Sequence, residues 1–130
     1  WHNIAIMNTT KKILIIEDDS FLKNLESSKF THEGFSVATA VTGAEVATAL
    51  EAELPDVILL DLMLPDVDGF ELLKQFKADD KTKSIPVIVF SNLSDEIEMK
   101  RVLDAGASEF MVKSNFTLSD VIEKINALTK

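Results

Sequence analysis

The run Pro55-Asp56-Val57-Ile58-Leu59-Leu60-Asp61-Leu62-Met63-Leu64-Pro65-Asp66-Val67-Asp68-Gly69 lies near the middle of a chain of 130 residues. Val57–Leu60 is continuously apolar, with no period-2 alternation, which is how a strand buried on both faces of a parallel sheet reads. The strand ends on a lone carboxylate, Asp61. In an open α/β sheet the carboxyl ends of the strands are where ligands and chemistry gather. Pro65 removes a backbone donor and turns Leu64 away from helix, and Gly69 permits a tight turn, so a structured loop follows the acid. Taken alone, Asp61 reads equally as a turn-capping carboxylate and as a nucleophile or metal ligand. The choice depends on which charged groups reach the same edge of the sheet.

Upstream, 11–16 is a second short buried strand, and it too ends in acids, Glu17, Asp18 and Asp19. Ser20 or Asp19 caps a helix over 21–33, with Phe21, Leu22, Leu25 and Phe30 as its inward positions and Gly34 as a left-handed stop. A third strand covers 35–40. Thr42-Gly43-Ala44-Glu45 has the Thr-x-x-Glu form of a capping box and opens a helix that runs to Glu53. Downstream of Asp61, Asp68 caps a helix to Ala78. A strand covers 85–90, with Pro86 tolerable only at its beginning, and leads into Ser91-Asn92. A helix over 95–104 has an acidic first turn that suits its dipole. Glu109–Val112 is the last strand and ends at Lys113, and Thr117 to Asp120 cap a final helix to Leu128. Five strands alternating with five helices predict right-handed βαβ units. The fold class is therefore α/β, a doubly wound five-stranded parallel sheet in the flavodoxin-like order 2-1-3-4-5.

Composition bounds the function. Hydrophobic residues make up 46% and charged residues 27%, ordinary for a soluble globular domain. One domain over 11–130 is expected, with 1–10 as a flexible segment or cloning remnant, Met7 a natural start and no leader pattern. The net charge of −9 argues against direct binding to nucleic acid or an anionic membrane, and suits a protein that gathers divalent cations. The absence of cysteine removes disulfides and thiolate metal sites and points to a cytoplasmic location. No apolar run approaches the roughly 18 residues of a membrane span.

In the order 2-1-3-4-5, strands one, three, four and five are neighbours. They deliver Glu17, Asp18 and Asp19, then Asp61, Ser91 and Lys113, to one edge. Carboxylates so close repel one another unless a cation sits among them or some hold protons. Oxygen donors without sulfur or imidazole favour Mg²⁺, with Mn²⁺ as the alternative. A metal ion, Lys113 and the Ser91 hydroxyl together form a receptacle for phosphoryl oxygens, with Asp61 as the acceptor nucleophile. Each member also has a plainer role. Asp19 serves as a helix cap, Ser91 as a turn residue, and Lys113 as a surface lysine. The joint pattern is what points to a site.

Ile13-Leu14-Ile15-Ile16-Glu17-Asp18-Asp19, the Asp61 to Gly69 run, Ser91 and Phe110-Met111-Val112-Lys113 resemble a response-regulator receiver domain, the CheY-like family of two-component signalling. The resemblance extends over about 11–128. It implies that Asp61 takes a phosphoryl group from a phosphohistidine on a sensor histidine kinase or phosphotransfer protein. It implies that Asp18 binds Mg²⁺ directly and Glu17 through water, with Asp61 and the backbone carbonyl of Met63 as further ligands. Ser91 and Lys113 would hold the phosphoryl group. Ser91 and Phe110 would form the switch, and the face around helix 4, strand 5 and helix 5 would address a downstream effector protein or domain, or a phosphorylation-dependent dimer. Such a domain is a switch that assists its own phosphotransfer and slow dephosphorylation, and not an enzyme with an external substrate. The family usually carries Pro after the lysine, Ala or Gly after the Ser/Thr, and Tyr at the switch position. This chain has Ser114, Asn92 and Phe110. Met63 and Leu93, two residues beyond Asp61 and Ser91, are apolar, which predicts a long-lived phosphorylated form.

The main alternative is a phosphorylation-independent pseudo-receiver acting as a protein-binding module, which needs the loss of a site residue that this chain retains. A flavodoxin-like cofactor binder would want a glycine- or hydroxyl-rich loop where Glu17-Asp18-Asp19 stands. An Asp-x-Asp phosphatase would want an acid at Met63. A calcium loop around Asp66-Val67-Asp68-Gly69 would place its first ligand on Leu64.

Overall fold

The computed structural model describes residues 10–129. The expectation of a flexible or extraneous start at 1–10 lies, apart from Thr10, outside them. The elements in chain order are β1 (Lys12–Ile16), α1 (Ser20–His32), β2 (Ser36–Ala40), α2 (Gly43–Ala52), β3 (Val57–Leu60), α3 (Gly69–Ala78), β4 (Val87–Ser91), α4 (Glu96–Asp104), β5 (Glu109–Val112) and α5 (Leu118–Leu128). All strand pairings are parallel and the order is β2-β1-β3-β4-β5, the α/β arrangement predicted by the alternation of apolar runs and capped helices. Among the described residues, no helix is long and apolar enough to cross a membrane.

Side-chain alternation in the strands divides the core into two layers. Leu14, Ile16, Ile58, Leu60, Val87, Val89, Phe110 and Val112 pack against Val46 of α2, Leu72, Leu73 and Phe76 of α3 and Val102 of α4. Ile13, Ile15, Val57, Leu59, Ile88, Phe90 and Met111 pack on the other face, against Phe30 of α1 and Val121, Ile122 and Ile125 of α5. Each fully buried aliphatic side chain contributes roughly 1.5–3 kcal/mol, so both layers hold the strand ends in place.

The helix starts follow their caps. Asp19 Oδ1 accepts from Leu22 N–H at 3.0 Å, which settles the choice between Ser20 and Asp19. Thr42 Oγ1 accepts from Glu45 N–H, while Glu45 reaches back to Val41 N–H instead of closing the box on Thr42. Thr117 and Asp120 form a full reciprocal box. Gly34 stands at φ 95°, the left-handed stop expected there. Strand β4 starts after Pro86 and includes Ser91; the Pro86 carbonyl accepts from Ile58 N–H at 3.0 Å, and the N–H it lacks falls before the strand begins.

One expectation is corrected. Phe21 and Leu25 do not point inward: they are 77% and 50% exposed. Leu22 is half-buried, and the buried residues of α1 are Glu26 and Phe30. Leu22, Glu26 and Phe30 recur at four-residue spacing on one helix face, and Phe21 and Leu25 lie one step behind it. Phe30 at 0% exposure sets the phase of the helix, so the inner stripe carries a carboxylate where an apolar residue is the usual occupant.

Candidate functional site

The two faces of the sheet reach the carboxyl edge with different side chains. Beyond Ile13 and Ile15 the next residue of like parity is Glu17; beyond Val57 and Leu59 it is Asp61; beyond Met111 it is Lys113. All three lie on the α1–α5 side. Backbone bonds continue the ladder past the strand ends: Asp61 N–H to Ile16 O at 2.9 Å, and Lys113 N–H to Ser91 O at 2.9 Å. Ser91 follows Val87 and Val89 and belongs to the opposite side, with Phe110.

These groups meet. Lys113 Nζ donates to Glu17 Oε1 at 2.7 Å and to Asp61 Oδ2 at 2.8 Å. Ser91 Oγ donates to Asp61 Oδ1 at 3.0 Å and accepts from Leu93 N–H at 3.4 Å. Met63 N–H also donates to Asp61 Oδ1, at 3.1 Å, and Asp19 N–H donates to Glu17 Oε2 at 3.2 Å. Both oxygens of Asp61 are therefore held, and the acid is only 6% exposed. Asp18 is exposed at the rim, and one oxygen each from Glu17, Asp18 and Asp61 lie within 4.8 Å of one another. Met63 bridges to Asp68 across the loop, with its side chain at the rim. Phe110 is buried beside Val89, two residues along β4 from Ser91.

The loop over Asp61 depends on Gly69. Its N–H donates to Leu62 O, and a Cβ there would stand 2.5 Å from Leu62 Cα. The requirement is for space, since Gly69 has no positive φ.

Charge is unbalanced in this pocket. Burial pushes the Glu17 carboxyl up to about 7; the hydrogen bond from Lys113 opposes this and the neighbouring Asp61 adds to it. Burial alone would lower Lys113, yet its bonds to Asp61 and Glu17 outweigh that and hold the ammonium above its ordinary value. The acids outnumber the cation, and their donors are hard oxygens in a cluster small enough for one ion. A divalent cation such as Mg²⁺ fits this donor set.

Glu26 is a buried acid on α1 outside the predicted site residues. It is 1% exposed, and neither carboxylate oxygen has a hydrogen-bond partner. Burial pushes its carboxyl up to about 8, with Glu17, Asp61 and Asp19 adding to the rise and Lys113 opposing it. The spacing Leu22, Glu26, Phe30 was the available signal.

The family model for the response regulator receiver domain matches residues 13–126. The phosphate regulon transcriptional regulatory protein PhoB of Rhizobium meliloti is 33% identical over 119 residues, 92% of this chain and 52% of that protein. The DNA-binding dual master transcriptional regulator RpaA of Synechocystis is 35% identical over 120 residues, 92% of this chain and 49% of that protein. The chain thus spans about half the length of these curated relatives. Among solved structures, the Francisella response regulator 1452 receiver domain matches with a TM-score of 0.84 at 28% identity, covering 92% of this chain and 97% of that one. The phosphorylated cyanobacterial phytochrome response regulator RcpA matches with a TM-score of 0.78 at 30% identity, covering 92% and 91%.

Proposed function

The chain belongs to the response-regulator receiver family, and from that premise we propose that it is a cytoplasmic phosphorylation switch whose acceptor is Asp61. The observation that carries this reading is the convergence on Asp61: Lys113 on one oxygen, Ser91 on the other, and Glu17 and Asp18 beside it. An Asp61 oxygen attacks the phosphorus of a phosphohistidine on a sensor kinase or phosphotransfer protein. The phosphorus–nitrogen bond breaks, the imidazole leaves and takes up a proton, and Asp61 becomes an acyl phosphate. Lys113 and Ser91 already hold the acid, and they turn to the new phosphoryl oxygens without a long search. Glu17, Asp18, Asp61 and the Met63 carbonyl would hold Mg²⁺, or Mn²⁺. The ion supplies neutralisation of charge between the incoming group and the acids.

The switch follows from the two-faced edge. Ser91 is hydrogen-bonded to Asp61 but belongs to the layer of Phe110 and α2–α4. A group added to Asp61 draws Ser91 across, and the space it leaves is filled by Phe110. The output face is α4, β5 and α5, where Ile97 and Leu103 of α4 are 78% and 43% exposed. It would take a downstream effector or a second copy of the chain.

The test is chemical trapping. After incubation with acetyl phosphate and Mg²⁺, borohydride reduces an aspartyl phosphate to homoserine. Peptide mass analysis is expected to find that residue at position 61. Homoserine elsewhere, or none, contradicts the assignment.

A further inference from the structure

The loop between β3 and α3 carries Met63, whose N–H donates to Asp61 Oδ1 at 3.1 Å. The two ends of this loop are tied to each other: Gly69 N–H donates to Leu62 O, Met63 bridges to Asp68, and Asp68 Oδ1 accepts from Phe70 N–H at 2.9 Å. Its outer turn is tied elsewhere. Asp66 Oδ2 accepts from Gly43 N–H at 3.0 Å, across 23 positions of sequence. Among the described residues, this is the one hydrogen bond shown between 62–68 and any residue outside 57–78. Gly43 is the first residue of α2, and its N–H is one of the donors that a helix leaves without an internal acceptor. Thr42 Oγ1 already takes Glu45 N–H, and Glu45 takes Val41 N–H, so Asp66 adds a third tie to that turn, from another element. A carboxylate there also meets the positive end of the helix dipole. The loop packs directly on the turn: a Cβ on Gly43 would touch both Asp66 Oδ2 and Val67 Cγ1 at 3.8 Å. Val46 anchors α2 in the core, so the turn is a fixed support.

We propose that Asp66 is a positioning residue of the acceptor site, fastening the β3–α3 loop to the first turn of α2 and so holding Met63 in place against Asp61. This rests on the reading of Asp61 as the acceptor and of the Met63 carbonyl as a cation ligand. Asp66 is not itself a ligand. Its bond lies at the surface, where water can replace the carboxylate on Gly43 N–H, so little global stability depends on it. What depends on it is where the loop stands.

The experiment compares wild type, Asp66→Ala and Asp66→Asn in the full chain. Amide hydrogen exchange at Gly43 and Met63 is read in chelator, phosphoryl uptake from acetyl phosphate at saturating Mg²⁺ by intact mass, and stability by chemical denaturation. Asp66→Ala is expected to exchange about tenfold faster at both amides while its unfolding midpoint stays at the wild-type value. Its phosphoryl uptake should slow about tenfold, short of the roughly 10²-fold that a 1 Å misplacement can cost. Asp66→Asn keeps an acceptor oxygen and should stay within about twofold of wild type in both. Wild-type exchange at Met63 and wild-type uptake in Asp66→Ala overturn the role, and so does an Asp66→Asn chain as impaired as Asp66→Ala. Slowing that comes with a loss of global stability assigns Asp66 to the fold and overturns it as well. If wild type takes up no phosphoryl group, the reading of Asp61 fails, and the exchange data decide separately whether Asp66 fastens the loop.

Discussion

Lys113 bridges two acids that are almost fully buried, at 2.7 and 2.8 Å. Removing it leaves Glu17 and Asp61 facing each other without a counter-charge. Lys113→Met is expected to cost about 2–4 kcal/mol in cation-free buffer, with part restored by Mg²⁺. Chemical denaturation with and without Mg²⁺ measures both, and unchanged stability would show that the pair does not hold the edge. Met63 and Leu93 define a second expectation at this scale. Neither side chain can orient a water for attack on an aspartyl phosphate, so the phosphorylated form should persist well beyond seconds. Met63→Asn supplies a polar group at the exposed rim and is expected to speed hydrolysis about tenfold, below the roughly 10²–10⁴-fold of a positioned general base. Loss of phosphoprotein mass with time gives both lifetimes. A wild-type half-life of seconds would contradict the expectation.

At the scale of single elements, the β3–α3 loop and helix α1 carry the sharpest consequences. Gly69→Ala places a methyl group on the Leu62 backbone, which cannot yield as a side-chain tip does. The expected cost is about 2–4 kcal/mol. Phosphorylation should slow as well, because the shifted loop carries Met63 away from Asp61; wild-type stability and rate in this variant would contradict the packing described. In α1, Glu26 imposes a pH dependence. Its carboxyl is raised from 4.5 to about 8, chiefly by burial, with the charges of Glu17, Asp61 and Asp19 adding to the rise and Lys113 opposing it. A raised folded-state value means that the proton is held more tightly in the fold. That contribution is fully present below pH 4.5 and is lost as pH rises through about 8. Glu26→Leu should therefore gain stability over wild type as pH rises, by about 3–4 kcal/mol more at pH 8 than at pH 4.5. Parallel stability–pH curves for the two proteins would count against it. The same two elements mark what was legible in the sequence. Strands and caps were readable because β3 and β4 are unbroken apolar runs and because Asp68, Asp95 and Thr117 sit directly ahead of helical periodicity. Glu17, Asp18, Asp61 and Lys113 were readable as a group with Ser91 because the first four follow a strand and Ser91 ends one. The phase of α1 was not, since Phe21, Leu22 and Leu25 are all apolar and only tertiary packing of Phe30 chooses among them. Glu26 shares a four-residue spacing with Leu22 and Phe30, but that spacing singles it out only once the phase of α1 is known.

For the molecule as a whole, one edge serves two layers. By the alternation of the strands, Glu17, Asp61 and Lys113 continue the face packed on α1 and α5, and Ser91 continues the face of Val87 and Val89, the layer that holds Phe110. The hydrogen bond from Ser91 to Asp61 is the link between chemistry on one side and packing on the other. With a net charge of −9, the fold tolerates its acids most easily when a cation joins them. The proposed switch depends on Asp61 accepting a phosphoryl group with the help of that cation. The deciding measurement is the intact mass of the full chain after incubation with acetyl phosphate, with Mg²⁺ or with chelator, beside Asp61→Asn. The expected result is one added phosphoryl group that requires Mg²⁺ and is absent from the variant. A wild-type chain that stays at its unmodified mass, or a variant that gains the group equally, would contradict the account.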